Sequence, residues 1–533
     1  DNDFITEPQF RLDFFRKIKP TITVAEVNAE FRKLWTGSHP LVFVTDKKAV
    51  AKAALAQAFD ASLKVAVLPM KDNGSVRFAY DSFGPAGKLV ADSRIDDLGI
   101  RTLRFANNVR LNIKKTDFEK GSIRYRVRLA GGQLALPANK PGLAAMVSML
   151  SPIGALEKHS AEDLKQILAG HNIQIGFAVS DDAIVTGGTS SPRDFALQMK
   201  MSAAFLTHPG YRKEAETRWE SLVPVIEAQA RATPQSVAQM KLPAVLANDD
   251  PRFGFPDEDV LKQRKLDEAK ALLAPLLASA PIEIAVVGDV DEAAVIDAVA
   301  RTFGALPARE LEAPAYSEAR KVSFRKALAP VTLTHSGDAD QALLAIAWPT
   351  DDDDDLEQVV GLNLLADVLK LELTDTPREK LGASYSPAAS SFASDVFDDF
   401  GYVMAATMLA PDKIDEVEKA VASLVGQLQS TPVDDDLLAR ARNPVLERID
   451  RQERENGYWL ALADEAQTDP DRLERHRKRK AAYTSITPAK LQRLARQYLS
   501  ADKTLIVKVV SDKLGKPVQT AAAPGAKTKA ARP

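Results

Sequence analysis

The sequence contains no cysteine among its 533 residues. This absence excludes disulfide bonds, zinc sites built from thiolates, and catalysis by a thiol nucleophile. A chain without thiols suits an oxidising compartment, where free thiols are a liability. We therefore expect a periplasmic location, with a soluble cytoplasmic location as the alternative.

The chain also lacks a strong excess of charge and a long apolar run. It has 70 basic and 73 acidic residues, a formal net charge of −3, and 45% hydrophobic residues. A nearly neutral chain has no overall attraction to nucleic acid or to an anionic membrane. No apolar stretch approaches the roughly 18 residues that suggest a membrane span. We expect no nucleic-acid partner and no membrane span.

Several common catalytic motifs are absent from the sequence as well. It has no G-x-S-x-G, P-loop or G-x-G-x-x-G pattern, which argues against simple hydrolase, NTPase and dinucleotide-binding functions. No two histidines are four residues apart on a helix, so no helical zinc clip is expected. The histidines are predicted to be surface residues: His39, His159, His171, His208, His335 and His476.

What the sequence does contain is a repeated helix–strand segment. Residues 22–46, 266–289 and 486–512 each place an amphipathic helix before a short apolar strand that ends in Asp. The closing Asp residues lie at intervals of roughly 240 and 220 residues, which is too long for a solenoid and fits duplicated domains. Chance similarity of three helix–strand segments is the alternative.

The repeat predicts an α+β fold with two homologous units of about 220 residues, each a mixed or antiparallel sheet packed against helices. The stretch "PLVFVTD" at 40–46 is then the last strand of a preceding unit whose body is not in this chain. The predicted segments are a remnant of that unit (1–59), a linker (60–100), the first unit (101–307), a connector (308–326), the second unit (327–512) and a disordered tail (513–533).

Two runs of charge allow a functional and a structural interpretation. The acidic run at 351–355 precedes an apolar helix, so it predicts a helix cap, with a hard-cation site as the alternative. The basic run "RHRKRK" at 475–480 predicts a solvated helix face, with a nucleic-acid contact as the alternative.

One stretch combines groups suited to binding a peptide, "LELTDTPREKLGASYSP" at 371–387. We predict a helix down to about Leu373, a break at Thr-Asp-Thr-Pro, and a strand from about Ala383. Arg378 and Tyr385 would flank this junction. A guanidinium offers several donors to a carbonyl or carboxylate, and a phenol offers one, so the pair could bind a peptide backbone or stabilise an oxyanion. An exposed Arg and a half-buried Tyr without such a role are the alternative.

With this stretch the chain resembles the pitrilysin/insulinase-type zinc metallopeptidases over nearly its whole length. The likeness rests on the α+β units, on "VVGDVDEAAVIDAVARTFGALP" at 286–307 and on "REKLGASY". The resemblance implies one half of a clamshell enzyme that degrades peptides in an enclosed chamber. It also implies that Arg378 and Tyr385 match an Arg/Tyr pair that acts across the chamber from the zinc site.

The resemblance also implies where a zinc helix would lie, and this chain departs from it there. The family's catalytic half carries an inverted His-x-x-Glu-His motif, and residues 142–150, "GLAAMVSML", align with it. Ala145, Ser148 and Met149 then stand where His, Glu and His would be. None of these side chains can supply the nitrogen ligands or the carboxylate base. We expect no metal bound by this chain.

The function implied is the substrate-binding half of a zinc metalloendopeptidase. Zn²⁺ would be bound by an N-terminal zinc-bearing half or a catalytic subunit, and Arg378 and Tyr385 would bind peptide substrates and stabilise the transition state. The linker 60–100 would join the two halves. The alternative is a non-catalytic scaffold or peptide-binding subunit of the same family. The substrate, and whether the catalytic half is covalently linked, stay open.

Overall fold

The computed structural model describes residues 6–35, 41–46, 48–66, 76–381 and 387–514, with the backbone alone at 375–381. Contacts divide the chain into two units, Asp1–Gly74 and Ser75–Pro533. The described part of the smaller unit contains helices α1 (Pro8–Ile18), α2 (Val24–Trp35) and α3 (Lys52–Ser62). Thr23 caps α2, since its hydroxyl accepts a hydrogen bond from the Glu26 N–H at 3.2 Å.

The strand predicted at 40–46 is not formed. Residues 41–46 have no regular secondary structure and are exposed, and Pro40 lies outside the described residues. A strand is held by hydrogen bonds from neighbouring strands. The described residues of the smaller unit contain no other strand. The strand is not formed among the described residues because an apolar β-branched run favours a strand but cannot supply the partner that completes it. Its place as the last strand of a preceding unit stays a prediction.

The larger unit begins with a sheet of seven strands. They are β1 (Leu89–Ile95), β2 (Ile100–Phe105), β3 (Arg110–Lys115), β4 (Ile123–Ala130), β5 (Gly176–Val179), β6 (Ala183–Ser190) and β7 (Ile282–Gly288). Their order across the sheet is β1-β2-β3-β7-β4-β6-β5. β3 and β7 are parallel, and the other neighbours are antiparallel. β1 lies in the segment 60–100 predicted as a linker, so the sheet begins earlier than the sequence indicated.

Helices lie between and after these strands in the chain. They are α4 (Leu143–Gly154), α5 (Ala161–Ile167), α6 (Phe195–Thr207), α7 (Lys213–Ala230), α8 (Pro234–Leu246), α9 (Glu258–Lys262), α10 (Leu266–Ser279) and α11 (Glu292–Ala300). Helix α8 packs on the second sheet of the unit, where Val237 and Leu246 share an apolar cluster with Leu343 and Val507. β4 buries every second residue, as its alternating sequence predicts. Tyr125, Val127 and Leu129 of β4 share one core with Met146 and Trp219 of the helices.

A second sheet follows, with five strands and its own helices. The strands are β8 (Val331–His335), β9 (Ala342–Thr350), β10 (Ala388–Ala393), β11 (Gly401–Leu409) and β12 (Leu505–Ser511). The helices are α12 (Leu356–Leu381), α13 (Ile414–Ser430), α14 (Asp435–Gln452), α15 (Asn456–Ala463), α16 (Pro470–Ser485) and α17 (Pro488–Tyr498). The strand order is β10-β11-β9-β12-β8.

The two sheets share one plan. In the first, the run β3-β7-β4-β6-β5 has a parallel first pair followed by antiparallel pairs. In the second, β8-β12-β9-β11-β10 has the same sequence of directions. In each of these five-strand runs a helix follows the second strand in chain order. Counted from β3, this helix is α4 after β4 in the first sheet, and counted from β8 it is α12 after β9 in the second. The predicted fold class, α+β with two homologous units, is confirmed.

Helix α15 belongs in sequence to the second half and packs on the first sheet. Trp459 and Leu460 lie against Ile100 and Val287 in one apolar cluster. Beside this cluster, the buried Glu283 accepts hydrogen bonds from the Thr468 hydroxyl at 2.6 Å and from the Gln467 N–H at 2.9 Å. The helix and the loop that follows it therefore hold the second half of the larger unit against the first sheet.

The two charged runs have structural roles. The Asp355 carboxylate accepts hydrogen bonds from the N–H groups of Glu357 (2.9 Å) and Gln358 (3.1 Å), which confirms the predicted cap of α12. The basic run lies on α16, where Arg475 pairs with Asp353 and Arg477 with Asp97. Within the described residues, no helix combines the length and apolar character needed to cross a bilayer.

Candidate functional site

Helix α4 carries the positions that the resemblance to the zinc peptidases predicts to align with a zinc motif. Its inner face places Leu143 and Val147 in the core of the first sheet. Ala145, Ser148 and Met149 share the other face, because residues three and four apart are neighbours on a helix. Met149 is 37% exposed. Helix α4 therefore lies on the sheet with one face turned outward, as a helix that bears metal ligands could. The side chains at these three positions are not metal ligands.

Ser148 has acquired a different role, which the sequence did not predict. Its hydroxyl donates to the Ala144 C=O at 2.8 Å and accepts from the Val179 N–H at 2.9 Å. Val179 is the last residue of β5, an edge strand of the first sheet. Ser148 thus fastens the helix to the edge of its own sheet. A serine that follows an apolar helical pattern gives no sequence signal for this contact.

The residues on α4 do not fit a zinc ion. A methyl group, a thioether and a hydroxyl that already makes two hydrogen bonds offer no imidazole nitrogen and no carboxylate. A cavity of about 220 Å³ lies along this face and is lined by Ala145, Ser148 and Arg252. No group of His, Asp or Glu in the described part of the chain could hold a metal ion.

Helix α12 is the counterpart of α4 in the second half, and it carries Arg378. Its backbone is helical to Leu381, so the predicted break at Thr-Asp-Thr-Pro is wrong. Thr374 remains compatible with the helix because its hydroxyl donates to the Lys370 C=O at 2.7 Å. β10 begins at Ala388, and the predicted strand start near Ala383 lies outside the described residues. The Arg378 side chain and the whole of Tyr385 lie outside the described residues.

A network of charged groups lies where the two halves of the larger unit meet, and no sequence pattern predicted it. Glu465 accepts from Arg128 at 2.8 Å and from Arg472 at 2.7 Å. Arg128 also pairs with Asp182. Burial raises the pKa of Glu465 to about 7, although both guanidinium groups oppose the shift. The network borders a cavity of about 480 Å³.

Two of the histidines predicted at the surface are buried instead. His335 is 1% exposed and His159 is 4% exposed. His335 lies between the Gln341 C=O at 2.9 Å and the Gly337 N–H at 3.0 Å. His159 Nε2 accepts a hydrogen bond from the Ala79 N–H at 2.8 Å. Backbone groups bond both ring nitrogens of His335 and Nε2 of His159, so each ring occupies a structural position.

Comparisons with known proteins show what the chain resembles. Residues 266–445 match the family described as "Peptidase M16 inactive domain". This part of the chain is thus similar to a peptidase M16 inactive domain, and the resemblance to the pitrilysin/insulinase-type peptidases is confirmed. The matched stretch spans α10 to most of α14, so it includes α12 and the edge strand β10.

Curated relatives include chloroplastic stromal processing peptidases. The chain is 24% identical over 424 residues to the protein from Arabidopsis thaliana, and 23% identical over 430 residues to that from Pisum sativum. In both cases the match covers 69% of this chain and 33% of the relative. The chain therefore spans about a third of the length of the curated relatives it matches.

Solved structures show the same fold. The periplasmic protease PqqL from Escherichia coli superposes with a TM-score of 0.65 at 17% identity, covering 96% of this chain and 57% of that one. A peptidase M16 inactive domain from Pseudomonas fluorescens gives a TM-score of 0.63 at 18% identity, covering 78% of this chain and 100% of that one.

Proposed function

We propose that this chain is the non-catalytic, substrate-binding half of a zinc metalloendopeptidase. The observation that carries the proposal is the pairing of a complete family fold with a helix α4 that has Ala145, Ser148 and Met149 at the motif positions. Such a half needs a zinc-bearing half or catalytic subunit, which would bind Zn²⁺ and activate its water. Peptides held between two halves would be bound mainly through their backbones.

In this proposal Arg378 and Tyr385 act on the substrate from the side opposite the zinc. A guanidinium and a phenol hydroxyl can donate hydrogen bonds to a peptide carbonyl, and these bonds strengthen as the carbonyl oxygen becomes negative. Arg378 lies near the C-terminal end of α12, and Tyr385 lies between that helix and β10. The two residues are seven apart in the sequence, on either side of the end of α12.

The test is cleavage of a quenched fluorescent peptide by this chain mixed with the zinc-bearing half. Arg378→Ala and Tyr385→Phe should each lower kcat/KM by about tenfold or more, because each removes a donor to the developing oxyanion. Arg301→Ala is the matched control, since Arg301 is exposed and pairs with Asp297 on α11. If the mixture cleaves and neither variant differs from the control, the pair has no catalytic role and the scaffold alternative replaces it.

We also propose that residues 22–46 are the last helix and strand of a preceding unit. In the second half the corresponding segment forms α17 and β12, and β12 lies between β9 and β8. Residues 41–46 would pair in the same way with strands supplied by that unit. Exposed apolar side chains on α1 and α2, such as Phe14 and Phe31, support this proposal. Hydrogen exchange at 41–46 should slow when the preceding unit is added, and unchanged exchange would refute it.

The proposed location is the periplasm. The absence of cysteine suits an oxidising compartment, and a protein of the same fold is described as a periplasmic protease. Fractionation of the native cell should recover the chain with periplasmic marker enzymes. Recovery with cytoplasmic markers would refute this location.

A further inference from the structure

A buried arginine without an ion pair follows the last helix of the first half. Arg309 is 4% exposed and is the most buried arginine in the described part of the chain. Its Nη1 donates to the Leu277 C=O at 2.7 Å, and its Nε has no hydrogen-bond acceptor there. Burial lowers its pKa, and no carboxylate opposes the shift. Because a buried charge without a counter-ion is unfavourable, this position favours the arrival of an anion.

A second cation without an acidic partner lies nearby on α10. Lys270 is exposed, and its ammonium lies 5.9 Å from the ring centroid of Tyr211. Tyr211 has a φ of 41°, a left-handed conformation that a bulky residue seldom adopts. Gly210 before it packs so closely on the Gly154 C=O that no side chain fits between them. The loop is therefore held tightly in the conformation that keeps the Tyr211 ring beside Lys270.

These residues surround two adjoining cavities. Lys270 and Arg309 line an open cleft of about 790 Å³. An apolar cavity of about 40 Å³ lies behind it, between α4 and α10, and Tyr211 and Leu277 line both. A water-sized group needs about 10–15 Å³, so the apolar cavity has room for about three such groups, similar to the branched end of an aliphatic side chain. The two cations thus stand where a polar cleft meets an apolar cavity.

The cleft has more positive than negative charge. Among the described residues that line it, Glu157 is the single acid. Its side chain is 59% exposed and lies 3.3 Å from His208 Nδ1, so it neutralises neither Lys270 nor Arg309. A cleft lined mainly by one sign of charge attracts ligands of the other sign. The ligand that fits both cavities is therefore an anion with a short apolar group beside the charge.

We propose that this cleft binds the C-terminal carboxylate of a peptide whose last residue is aliphatic. A guanidinium presents its donors in a fork that matches a carboxylate, so Arg309 and Lys270 would hold the two oxygens. The aliphatic side chain would enter the apolar cavity past Tyr211. A free amino acid fits less well, because its ammonium would face the same two cations. In a peptide that nitrogen is a neutral amide, and the rest of the chain leaves through the open cleft.

The inference goes beyond the proposed function. In the described part of the chain, neither cavity is lined by α12 or by the motif positions of α4, Ala145, Ser148 and Met149. The site therefore holds a peptide end whether or not this chain acts with a zinc-bearing half.

Isothermal titration calorimetry on the full chain measures binding of three probes. The first is N-acetyl-Ala-Ala-Leu, which has the carboxylate and the aliphatic side chain. Its C-terminal amide should bind about tenfold or more weakly, because the charge that Arg309 attracts is removed. N-acetyl-Ala-Ala-Gly should also bind about tenfold more weakly, because four buried carbon atoms are lost.

Two variants test the cations. Lys270→Gln removes an exposed charge and should weaken binding of the acid peptide by about threefold or more. Lys262→Gln is the matched control, since Lys262 pairs with Glu258 on α9 and does not line the cleft. Arg309→Gln keeps a donor for the Leu277 C=O and should weaken binding by about tenfold or more. Circular dichroism establishes that each variant melts like the parent; if Arg309→Gln does not, Lys270→Gln and the probes decide.

Hydrogen exchange locates the site without a variant. The acid peptide should slow exchange in fragments that cover 206–211 and 306–310, the loops on the two sides of the cleft. Fragments that cover β10 should be unchanged.

Four results would overturn the proposal. They are no detectable binding of the acid peptide, equal affinity for the acid and its amide, equal affinity of Lys270→Gln and Lys262→Gln, and unchanged exchange at both loops. Free leucine that binds as tightly as the acid peptide would also overturn it, because the ligand would then be an amino acid rather than a peptide end.

Discussion

The hydroxyl of Ser148 accepts a hydrogen bond from the N–H of Val179 at 2.9 Å, and this contact joins the helix without zinc ligands to the edge of its own sheet. The resemblance to the zinc peptidases implies that this position carries the catalytic carboxylate in an active half. In this chain its side chain makes a structural hydrogen bond instead. Ser148 therefore offers no carboxylate to act as a base, and its hydroxyl occupies the N–H group of Val179 on the edge strand β5.

Replacing Ser148 by alanine should therefore cost stability. Ser148→Ala leaves the Val179 N–H without its acceptor, and we expect the free energy of unfolding to fall by about 1 kcal/mol. Urea denaturation measures the change. Ser151→Ala is the control, because Ser151 donates only to the Val147 C=O of its own helix. Equal losses in both variants would show that the contact with β5 contributes nothing.

Glu465 should make stability depend on pH between about pH 4.5 and pH 7. Its folded pKa of about 7 lies above the unfolded value, so its contribution is fully present below the unfolded pKa and is lost as pH rises through the folded pKa. The midpoint of thermal unfolding should fall as pH rises, by the equivalent of about 3 kcal/mol at most. Glu465→Gln should flatten the profile, whereas Glu474→Gln, at an exposed position on α16, should not.

His159 should have the opposite dependence at lower pH. Burial lowers its pKa, so the neutral ring is favoured in the folded state; its stabilising effect is present above the unfolded pKa and is lost as pH falls through the folded pKa. A protonated ring cannot accept the Ala79 N–H, and stacking with Phe78 weakens with it. Exchange at Ala79, corrected for its intrinsic rate, should accelerate at mildly acidic pH. In His159→Gln that acceleration should disappear; if it persists, another group controls the segment.

Trp459 should couple the two halves. It is 8% exposed in the cluster that α15 forms with the first sheet, and the Lys114 ammonium lies 3.7 Å from its ring centroid. Trp459→Ala should cost about 3 to 5 kcal/mol and separate unfolding into two transitions. Leu494→Ala, within the core of the second half, should lower stability without this separation. A single unfolding transition in Trp459→Ala would show that the contact of α15 with the first sheet does not couple the unfolding of the two halves.

Patterns among residues that are close together in the chain account for what could be predicted from the sequence. The alternating sequence of β4 indicates a strand with one buried face, and Thr23 and Thr487 are typical N-cap residues at the starts of α2 and α17. The repeated helix–strand order anticipated the shared strand order of the two sheets. These features depend on residues close together in the chain.

Contacts between distant residues account for what could not be predicted. The bond between Ser148 and Val179 needs a helix and an edge strand to meet, and the ion pair of Arg128 and Glu465 needs both halves in place. The unformed strand at 41–46 fails for the same reason, since pairing is not a local property. Pro377 indicated a break, yet α12 continues past it to Leu381 because tertiary packing can outweigh propensity.

The central claim, that this chain is one half of a zinc peptidase, is tested most directly by peptide cleavage in the presence of Zn²⁺. The chain alone should release no fluorescence from a quenched peptide, and the chain mixed with the zinc-bearing half should exceed that half alone by about tenfold or more. Cleavage by the isolated chain, abolished by a chelator, would contradict the account of α4. A mixture no faster than the zinc-bearing half alone would contradict the claim itself.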